Sequence, residues 1–252
     1  MRTGKQRTQG GFTVVELMVA LLIGLFLLGG LLTLVQDNRR SFASQNQLSQ
    51  LQDAERMAMT MITDVIQSAG YYPDPTTNSA TLVMPANGTF AAAGQAIVGT
   101  YSATAPGDTI SVRYATNPGD TIVNCIGQSN TGGAVTTYTN AFSVVNGQLI
   151  CTMNGTAYPI IGTVPLASGI FSGVVVNNLS ILYGVTTGSS PNNVDTYYTA
   201  TNVPNWSNVI SVQVTLQFNN PMWSTLAAAQ GTTVPQYLTF QRVITVVSQA
   251  GI

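Results

Sequence analysis

The side chains that most often do chemistry are scarce in this sequence. The chain has 252 residues, and none of them is histidine. This excludes Ser-His-Asp and Cys-His catalysis, together with every zinc site that contains histidine. The two cysteines, Cys125 and Cys151, are too few for a four-cysteine metal site. The pair fits either one disulfide in an oxidising compartment or two buried, inert thiols.

Carboxylates are equally sparse in the C-terminal part of the chain. From residue 75 onwards they are Asp108, Asp120 and Asp195. Asp108 and Asp120 lie in two copies of PGDTI, where an aspartate most often supports the backbone of a turn. Asp195 lies in PNNVDT, and we interpret it as a loop residue rather than as a calcium ligand. We therefore expect a protein that is not an enzyme, with no catalytic residues, no cofactor and no metal site.

Glu16 stands out because it lies inside an apolar run. Residues 12–35 read FTVVELMVALLIGLFLLGGLLTLV, and only Thr13, Glu16 and Thr33 among them are polar. As a helix, this run would span roughly 36 Å, enough to cross a hydrocarbon core of about 30 Å. A carboxylate within a membrane segment indicates a functional site with a partner of opposite charge.

The residues before the apolar run set its orientation. Residues 1–11 carry three basic side chains, which predicts that this end is cytoplasmic and that the bulk of the chain is outside the cytoplasm. A secretory signal peptide would have a shorter apolar run followed by small residues, whereas here Gly10 and Gly11 precede the run. Because an extracytoplasmic location is oxidising, we favour a disulfide between Cys125 and Cys151.

The helical pattern continues beyond the membrane. In residues 36–70 apolar side chains recur at steps of three and four, as on one face of an amphipathic helix. They are Leu48, Leu51, Ala54, Ala58, Met61, Ile62, Val65 and Ala69. Gly70, followed by Tyr-Tyr-Pro, is a strong stop. We predict one helix of about 58 residues, with weak points at Gly24 and at the Gly29-Gly30 pair.

From residue 71 to residue 252 the period changes to two, as in β-strands. The clearest runs are TISVRY (109–114), TIVNC (121–125), GQLIC (147–151), LSILYGV (179–185), VISVQVTLQF (209–218) and YLTFQRVITVV (237–247). One face of run 209–218 is apolar, and we expect the helix to cover it. The predicted fold is α+β: one long N-terminal helix packed on a C-terminal antiparallel β-rich domain, with one sheet or two.

The segment QGGFTVVELMVALLIGLFLL resembles the class III signal of type IV prepilins. The resemblance implies cleavage between Gly11 and Phe12, N-methylation of Phe12, and a role for Glu16 in assembly, where it pairs with the N-terminal amine of a neighbouring subunit. It also implies four parts of the chain. They are a leader at 1–11, a transmembrane or filament-core helix half at 12–35, an amphipathic helix half at 36–70 and a head domain at 71–252.

Further along the chain, IQSAGYYP (66–73), GDTISVRY (107–114) and WSNVISVQVTLQF (206–218) resemble PilW-type minor pilins. The resemblance implies a subunit of the pilus priming and tip complex that promotes pilus assembly and supports twitching motility, adhesion or DNA uptake indirectly. The implied partners are a prepilin peptidase, other minor pilins, the major pilin, an inner-membrane assembly platform and, before assembly, membrane lipid. The implied location is the inner membrane, with a periplasmic C-terminal domain, and then the pilus at the cell surface.

Two other functions stay open at this point. A J-type minor pseudopilin of a type II secretion system resembles the same sequence. A tip adhesive would use aromatic contacts from Trp206, Trp223 and the Tyr197-Tyr198 pair, although such side chains more often pack in a core or against another subunit. Direct nucleic-acid binding is not expected, because the formal net charge is −1 and charged residues make up only 7% of the chain.

Overall fold

A computed structural model of the chain describes residues 11, 13–162, 173–186, 193–223 and 234–247. The chain divides into two compact units, residues 1–46 and 47–252. A single α-helix, α1 (Val14–Gln67), contributes to both units. The described part of the first unit consists of the beginning of this helix. The second unit contains the end of the helix and the described strands.

Helix α1 begins after Thr13 and runs without interruption through Gly24, Gly29 and Gly30. The Thr33 hydroxyl donates a hydrogen bond of 2.7 Å to the carbonyl oxygen of Gly29. The prediction of one continuous helix is confirmed. The glycines predicted to be weak points keep helical geometry in this structure.

The end of α1 is anchored beside a strand. Gly70 adopts a left-handed φ of 76°, which a glycine reaches without strain. Its N–H donates a hydrogen bond of 2.9 Å to the Arg113 carbonyl oxygen. One residue later, the Tyr71 carbonyl accepts a bond of 2.8 Å from the N–H of Ala115. A short helix, α2 (Ala80–Val83), follows.

The first sheet is an antiparallel meander of consecutive strands. Its strands lie in the order β1-β2-β3-β4-β5. They are β1 (Ile97–Thr100), β2 (Thr109–Thr116), β3 (Thr136–Val145), β4 (Gln148–Met153) and β5 (Thr156–Ile161). The tight turns between the later strands use residues with positive φ, Asn146-Gly147 and Asn154-Gly155, as two-residue hairpins require.

The second sheet is also antiparallel, in the order β7-β6-β8-β9. Its strands are β6 (Val176–Val185), β7 (Thr196–Tyr198), β8 (Val209–Asn219) and β9 (Tyr237–Thr245). Two short 3₁₀ turns, Ala200–Asn202 and Trp206–Asn208, connect β7 to β8. The described head therefore has two sheets, a point that the sequence pattern leaves open.

One hydrophobic core joins the end of α1 to the inner faces of both sheets. The helix contributes Leu51, Ala54, Ala58, Met59, Ile62, Val65 and Ile66. Strand β8 contributes Val212, Val214, Leu216 and Phe218 of the apolar face predicted from its alternation, and Ile210 of the same run is 6% exposed. The predicted α+β fold, with the helix packed on an antiparallel β domain, is confirmed.

One predicted strand is wrong. Residues 121–125 form a loop, because a polar side chain there satisfies the backbone locally. The Asn124 side-chain oxygen accepts hydrogen bonds from the N–H groups of Ile126 at 3.1 Å and Gln128 at 3.0 Å. The Tyr114 hydroxyl donates to the Val123 carbonyl at 2.8 Å. The other five predicted runs lie in β2, β4, β6, β8 and β9.

Candidate assembly site

The side chain of Thr13 caps the start of α1. Its Oγ1 accepts a hydrogen bond of 3.3 Å from the backbone N–H of Glu16, and its carbonyl oxygen accepts one of 3.2 Å from the N–H of Leu17. Thr13 and Glu16 thus form the first and last positions of a T-x-x-E capping pattern. That pattern is visible in the sequence, although the role of Thr13 was not among our predictions.

The carboxylate of Glu16 lies in the first turn of α1 and is exposed. The partial positive charge of the helix N-terminus favours a carboxylate at this position. The sequence offers no full positive charge close by on the same helix, because the next basic residue is Arg39. A cation for Glu16 therefore has to come from the N-terminus of a chain or from another molecule.

The helix around Glu16 is apolar on all sides. The first part of α1 is strongly apolar, and this apolar stretch is not buried within the structure. Large exposed side chains there include Leu22 at 69%, Leu25 at 70% and Phe26 at 84% exposure. A helix that is apolar around its whole circumference belongs in a membrane or inside a helical assembly. It is the one described helix long and apolar enough to span a membrane.

The predicted processing site is described only in part. Gly11 is exposed, and Phe12 lies outside the described residues. Helix α1 begins at Val14, two residues after Phe12. The capping residue Thr13 directly follows Phe12 in the sequence.

Comparison with known families fits this arrangement at both ends of the chain. The prokaryotic N-terminal methylation motif matches residues 6–32. The model of type IV pilus-assembly protein W (PilW) matches residues 125–248. The chain is a type IV pilus minor pilin of the PilW type. Proteins with this motif are processed by a prepilin peptidase and assemble with other pilins. Pilins are structural proteins.

Two further comparisons add little to the assignment of this PilW-type pilin. No functionally curated protein matches it. Among solved structures, it is similar to the type IV-like pilin TTHA1219 from Thermus thermophilus, with 14% identity and a TM-score of 0.42. That match covers 79% of this chain and 97% of the other. The fold described above rests on the strands and helices themselves.

The two cysteines of this PilW-type pilin form the expected disulfide. Cys125 and Cys151 are bonded, with 6.3 Å between their Cα atoms. Both are buried. The bond joins the loop at 121–127 to strand β4, and the Cys125 N–H also donates to the Asn140 side-chain oxygen at 3.0 Å. The pair is therefore a structural cross-link inside the core of the head.

The predicted turn aspartates support the backbone, as expected, but in different ways. Asp120 accepts a hydrogen bond of 2.7 Å from the Asn117 N–H within its own turn. Asp108 is 3% exposed and accepts bonds from Ser102 and from Ile181 of the second sheet. The backbone N–H of Asp195 donates a hydrogen bond of 3.1 Å to the Val185 carbonyl oxygen. Among the described residues, no three His, Cys, Asp or Glu side chains are grouped as metal ligands would be.

The aromatic residues considered for adhesion separate into two groups. The Trp206 ring packs edge-on against Tyr183, with 4.8 Å between centroids, and Tyr198 also packs against the core. Trp223 is half-buried. Tyr197 is different, because it is 37% exposed and lies on the other face of the sheet. Of the predicted set, Trp206 and Tyr198 are core contacts and Tyr197 is the exposed one.

Arg113 has a structural role that the sequence analysis did not predict. It is 1% exposed and donates to three backbone carbonyl oxygens, those of Gln95 at 2.6 Å, Pro85 at 2.6 Å and Ala92 at 3.1 Å. Its guanidinium also lies 4.3 Å from the centre of the Phe90 ring. Burial lowers the pKa of Arg113. A buried arginine that binds only carbonyl oxygens has no recognisable sequence motif.

Proposed function

We propose that this chain is a minor pilin that joins the priming complex of a type IV pilus and ends near the filament tip. The observation that carries the proposal is an exposed carboxylate, Glu16, in the first turn of a helix that is apolar on every side. The PilW-type family supports the assignment to a pilus. A helix of this kind serves two environments, lipid before assembly and neighbouring helices afterwards.

Glu16 would act through its charge. A carboxylate inside a hydrocarbon layer costs about 2.5–3.5 kcal/mol on insertion scales, so an opposite charge that neutralises it favours the assembled state. Cleavage after Gly11 supplies such a charge as the α-amino group of Phe12. In the proposed complex, the Phe12 amine of one subunit binds the Glu16 carboxylate of the next.

The location follows from the charges of the leader. Arg2, Lys5 and Arg7 favour a cytoplasmic N-terminus before cleavage, which supports a periplasmic head domain. The buried disulfide supports an oxidising compartment for the head. The partners of this pathway are the prepilin peptidase, the other minor pilins, the major pilin and the inner-membrane assembly platform.

The test compares three substitutions at the start of α1 in a host that lacks its own copy of the gene. Glu16→Ala and Glu16→Gln remove the charge, and Thr13→Val removes only the hydroxyl that caps the helix. We expect both Glu16 variants to reduce surface pili and twitching motility at least about tenfold, because charge pairing is lost. We expect Thr13→Val, which costs about 1 kcal/mol of capping, to assemble nearly normally.

Three controls make the outcome decisive. A shift in gel mobility shows whether each variant is still cleaved by the peptidase, and immunoblots show that it is stable. Export of secreted enzymes is measured in the same strains. Lost export with normal pili would assign the chain to a type II secretion system as a J-type pseudopilin. Normal pili and normal export in the Glu16→Gln strain would reject an assembly role for the charge.

A further inference from the structure

The two sheets of the head differ in what covers their outer faces. On the first sheet, residues 83–95 lie over β2 and β3. Arg113 in β2 holds this segment through Pro85, Ala92 and Gln95, and the hydroxyl of Thr137 in β3 donates to the Val83 carbonyl at 2.7 Å. On the second sheet, four outward side chains of β9 are exposed, those of Thr239, Gln241, Val243 and Thr245. Residues 83–95 therefore cover part of the outer face of the first sheet, whereas solvent reaches the β9 side of the outer face of the second.

This surface, which we name the amide face, consists of the outward side chains of the second sheet. The pairing of its strands places them in parallel rows. They are Asn177, Ser180 and Leu182 from β6, Tyr197 from β7, Ser211, Gln213, Thr215, Gln217 and Asn219 from β8, and Tyr237, Thr239, Gln241, Val243 and Thr245 from β9. All of them are uncharged at neutral pH. Tyr197 of β7, Asn219 of β8 and Gln241 of β9 are exposed, whereas the outward side chains of β6 and most of β8 are half-buried and Ser211 is buried. From Ser211 to Asn219 the face is roughly 27 Å long.

Tyrosine and amide groups on this face are held in place. The Tyr197 ring lies against Gly184, where an added Cβ would come within 3.0 Å of Tyr197 Cε1. The Ser211 hydroxyl donates to the Tyr197 hydroxyl oxygen at 3.2 Å. The Asn177 amide donates to the Gln217 side-chain oxygen at 2.6 Å, which fixes the orientation of both amides. One side of an aromatic ring and two planar amides are thus preorganised for a ligand.

We propose that the amide face binds a neutral polysaccharide. A side-chain amide presents a donor and an acceptor side by side, which matches two adjacent sugar hydroxyls, and a tyrosine ring packs against the apolar face of a sugar ring. The site does not depend on the assembly role proposed above. It would give the head a ligand of its own, wherever in the pilus the subunit stands.

The charges of the described residues around the amide face match a neutral glycan better than an anionic one. An anionic polysaccharide needs cations, and the basic residue of β9, Arg242, lies on the inner side of the strand, where it donates to the Thr63 hydroxyl at 3.4 Å. A protein partner is also less well matched. Interface cores are enriched in aromatic residues and methionine, whereas the aliphatic side chains of this face are Leu182 and Val243.

The test uses the full-length chain in a detergent without a sugar headgroup, so that the micelle does not compete for the site. Its depletion from solution is measured with microcrystalline cellulose, chitin and cross-linked amylose as neutral probes, and with alginate beads as an anionic probe. We expect retention on at least one neutral polysaccharide and none on alginate. Tyr197→Ala combined with Gln241→Ala should weaken that retention roughly tenfold, the loss expected for two modest contacts.

Matched controls separate this result from damage to the fold. Gln52→Ala changes an exposed glutamine on helix α1, away from the amide face, and should bind as the unsubstituted chain does. Circular dichroism and thermal unfolding verify that the variants are folded. No retention on any neutral polysaccharide, equal retention by the double variant, or preferential retention on alginate would each overturn the proposal. So would loss of co-purification with other pilins in the double variant without loss of glycan binding, since the face would then be a subunit interface.

Discussion

The carboxylate of Asp108 accepts a hydrogen bond of 2.7 Å from the backbone N–H of Ile181, a residue 73 positions further along the chain. Asp108 belongs to the turn that leads into β2 of the first sheet, whereas Ile181 lies in β6 of the second. Two backbone hydrogen bonds connect the same two segments. The Asp108 N–H donates to the Leu179 carbonyl oxygen at 2.7 Å, and the Leu179 N–H donates to the Pro106 carbonyl oxygen at 3.1 Å. This turn therefore joins the two sheets.

Replacement of Asp108 by alanine should destabilise the head strongly. The carboxylate is buried and also accepts a bond of 2.8 Å from the Ser102 N–H, so one buried and one part-buried backbone donor would lose their acceptor. Hydrogen bonds to charged groups contribute about 1.5–3 kcal/mol, and we expect a loss of about 3 kcal/mol in the free energy of unfolding. Urea unfolding of the full-length chain in detergent measures it. Asp53→Ala, which removes an exposed ion pair with Arg56, should change the same quantity by less than about 1 kcal/mol.

Periodicity predicted the helix and five strands because burial on one face leaves a pattern along the chain. It could not predict what Asp108 does. The sequence contains PGDTI twice, and both copies read as turns, but one of them joins the two sheets and the other closes on Asn117 in its own loop. The difference between the two copies depends on a strand about 70 residues away. A local sequence pattern does not show which distant strand will pack against it.

The Arg113 side chain should not be replaceable by lysine. Its guanidinium binds three carbonyl oxygens in different directions and lies over Phe90, whereas an ammonium group cannot match that planar geometry. We expect Arg113→Lys to lower the free energy of unfolding by about 2–4 kcal/mol, because buried acceptors lose their donors. Hydrogen exchange would rise mainly in residues 83–95. Equal protection of that segment in the variant would show that Arg113 does not hold it.

Reduction of the Cys125–Cys151 bond should weaken the head without unfolding it at once. The two cysteines are 26 positions apart, and in the chain-entropy account a loop of this size contributes about 3.5 kcal/mol. Dithiothreitol should lower the urea midpoint of the unsubstituted chain. A Cys125→Ala, Cys151→Ala double variant should unfold at a similarly reduced midpoint and be insensitive to the reductant. A shift with reductant in the double variant would indicate a cause other than this bond.

The sequence singles out Glu16 as a candidate assembly residue, but it does not show which tyrosine of the Tyr197-Tyr198 pair is exposed. Glu16 is conspicuous because a carboxylate is rare in an apolar run. Tyr197 and Tyr198 are neighbours in sequence, yet they lie on opposite faces of β7, so that one pairs with Gly184 on the exposed side and the other with Tyr183 on the buried side. Which side faces the core is set by the pairing register, and three residues of strand are too short to reveal it.

Tyr183 should make the head sensitive to alkali. Burial raises the pKa of its hydroxyl, and the nearby Asp108 carboxylate raises it further. Because the folded-state pKa is above the unfolded value near 10, the contribution of this group to stability is fully present below about pH 10 and is lost as the pH rises. The free energy of unfolding should fall by up to about 1.4 kcal/mol per pH unit for each such tyrosine. Burial also raises the pKa of Tyr114.

Phenylalanine variants separate the two tyrosines. The Tyr183 hydroxyl is buried without a hydrogen-bond partner among the described residues, so Tyr183→Phe should keep or slightly raise stability at pH 8 and flatten the decline between pH 10 and 11.5. Tyr114 donates to the Val123 carbonyl at 2.8 Å, so Tyr114→Phe should lose about 1 kcal/mol at pH 8 and flatten the same decline. Urea unfolding across this pH range, with tyrosinate absorbance recorded in parallel, measures both effects. If the alkaline decline of Tyr183→Phe is the same as that of the unsubstituted chain, the pKa of the Tyr183 hydroxyl is not raised in the folded head, and the prediction is wrong.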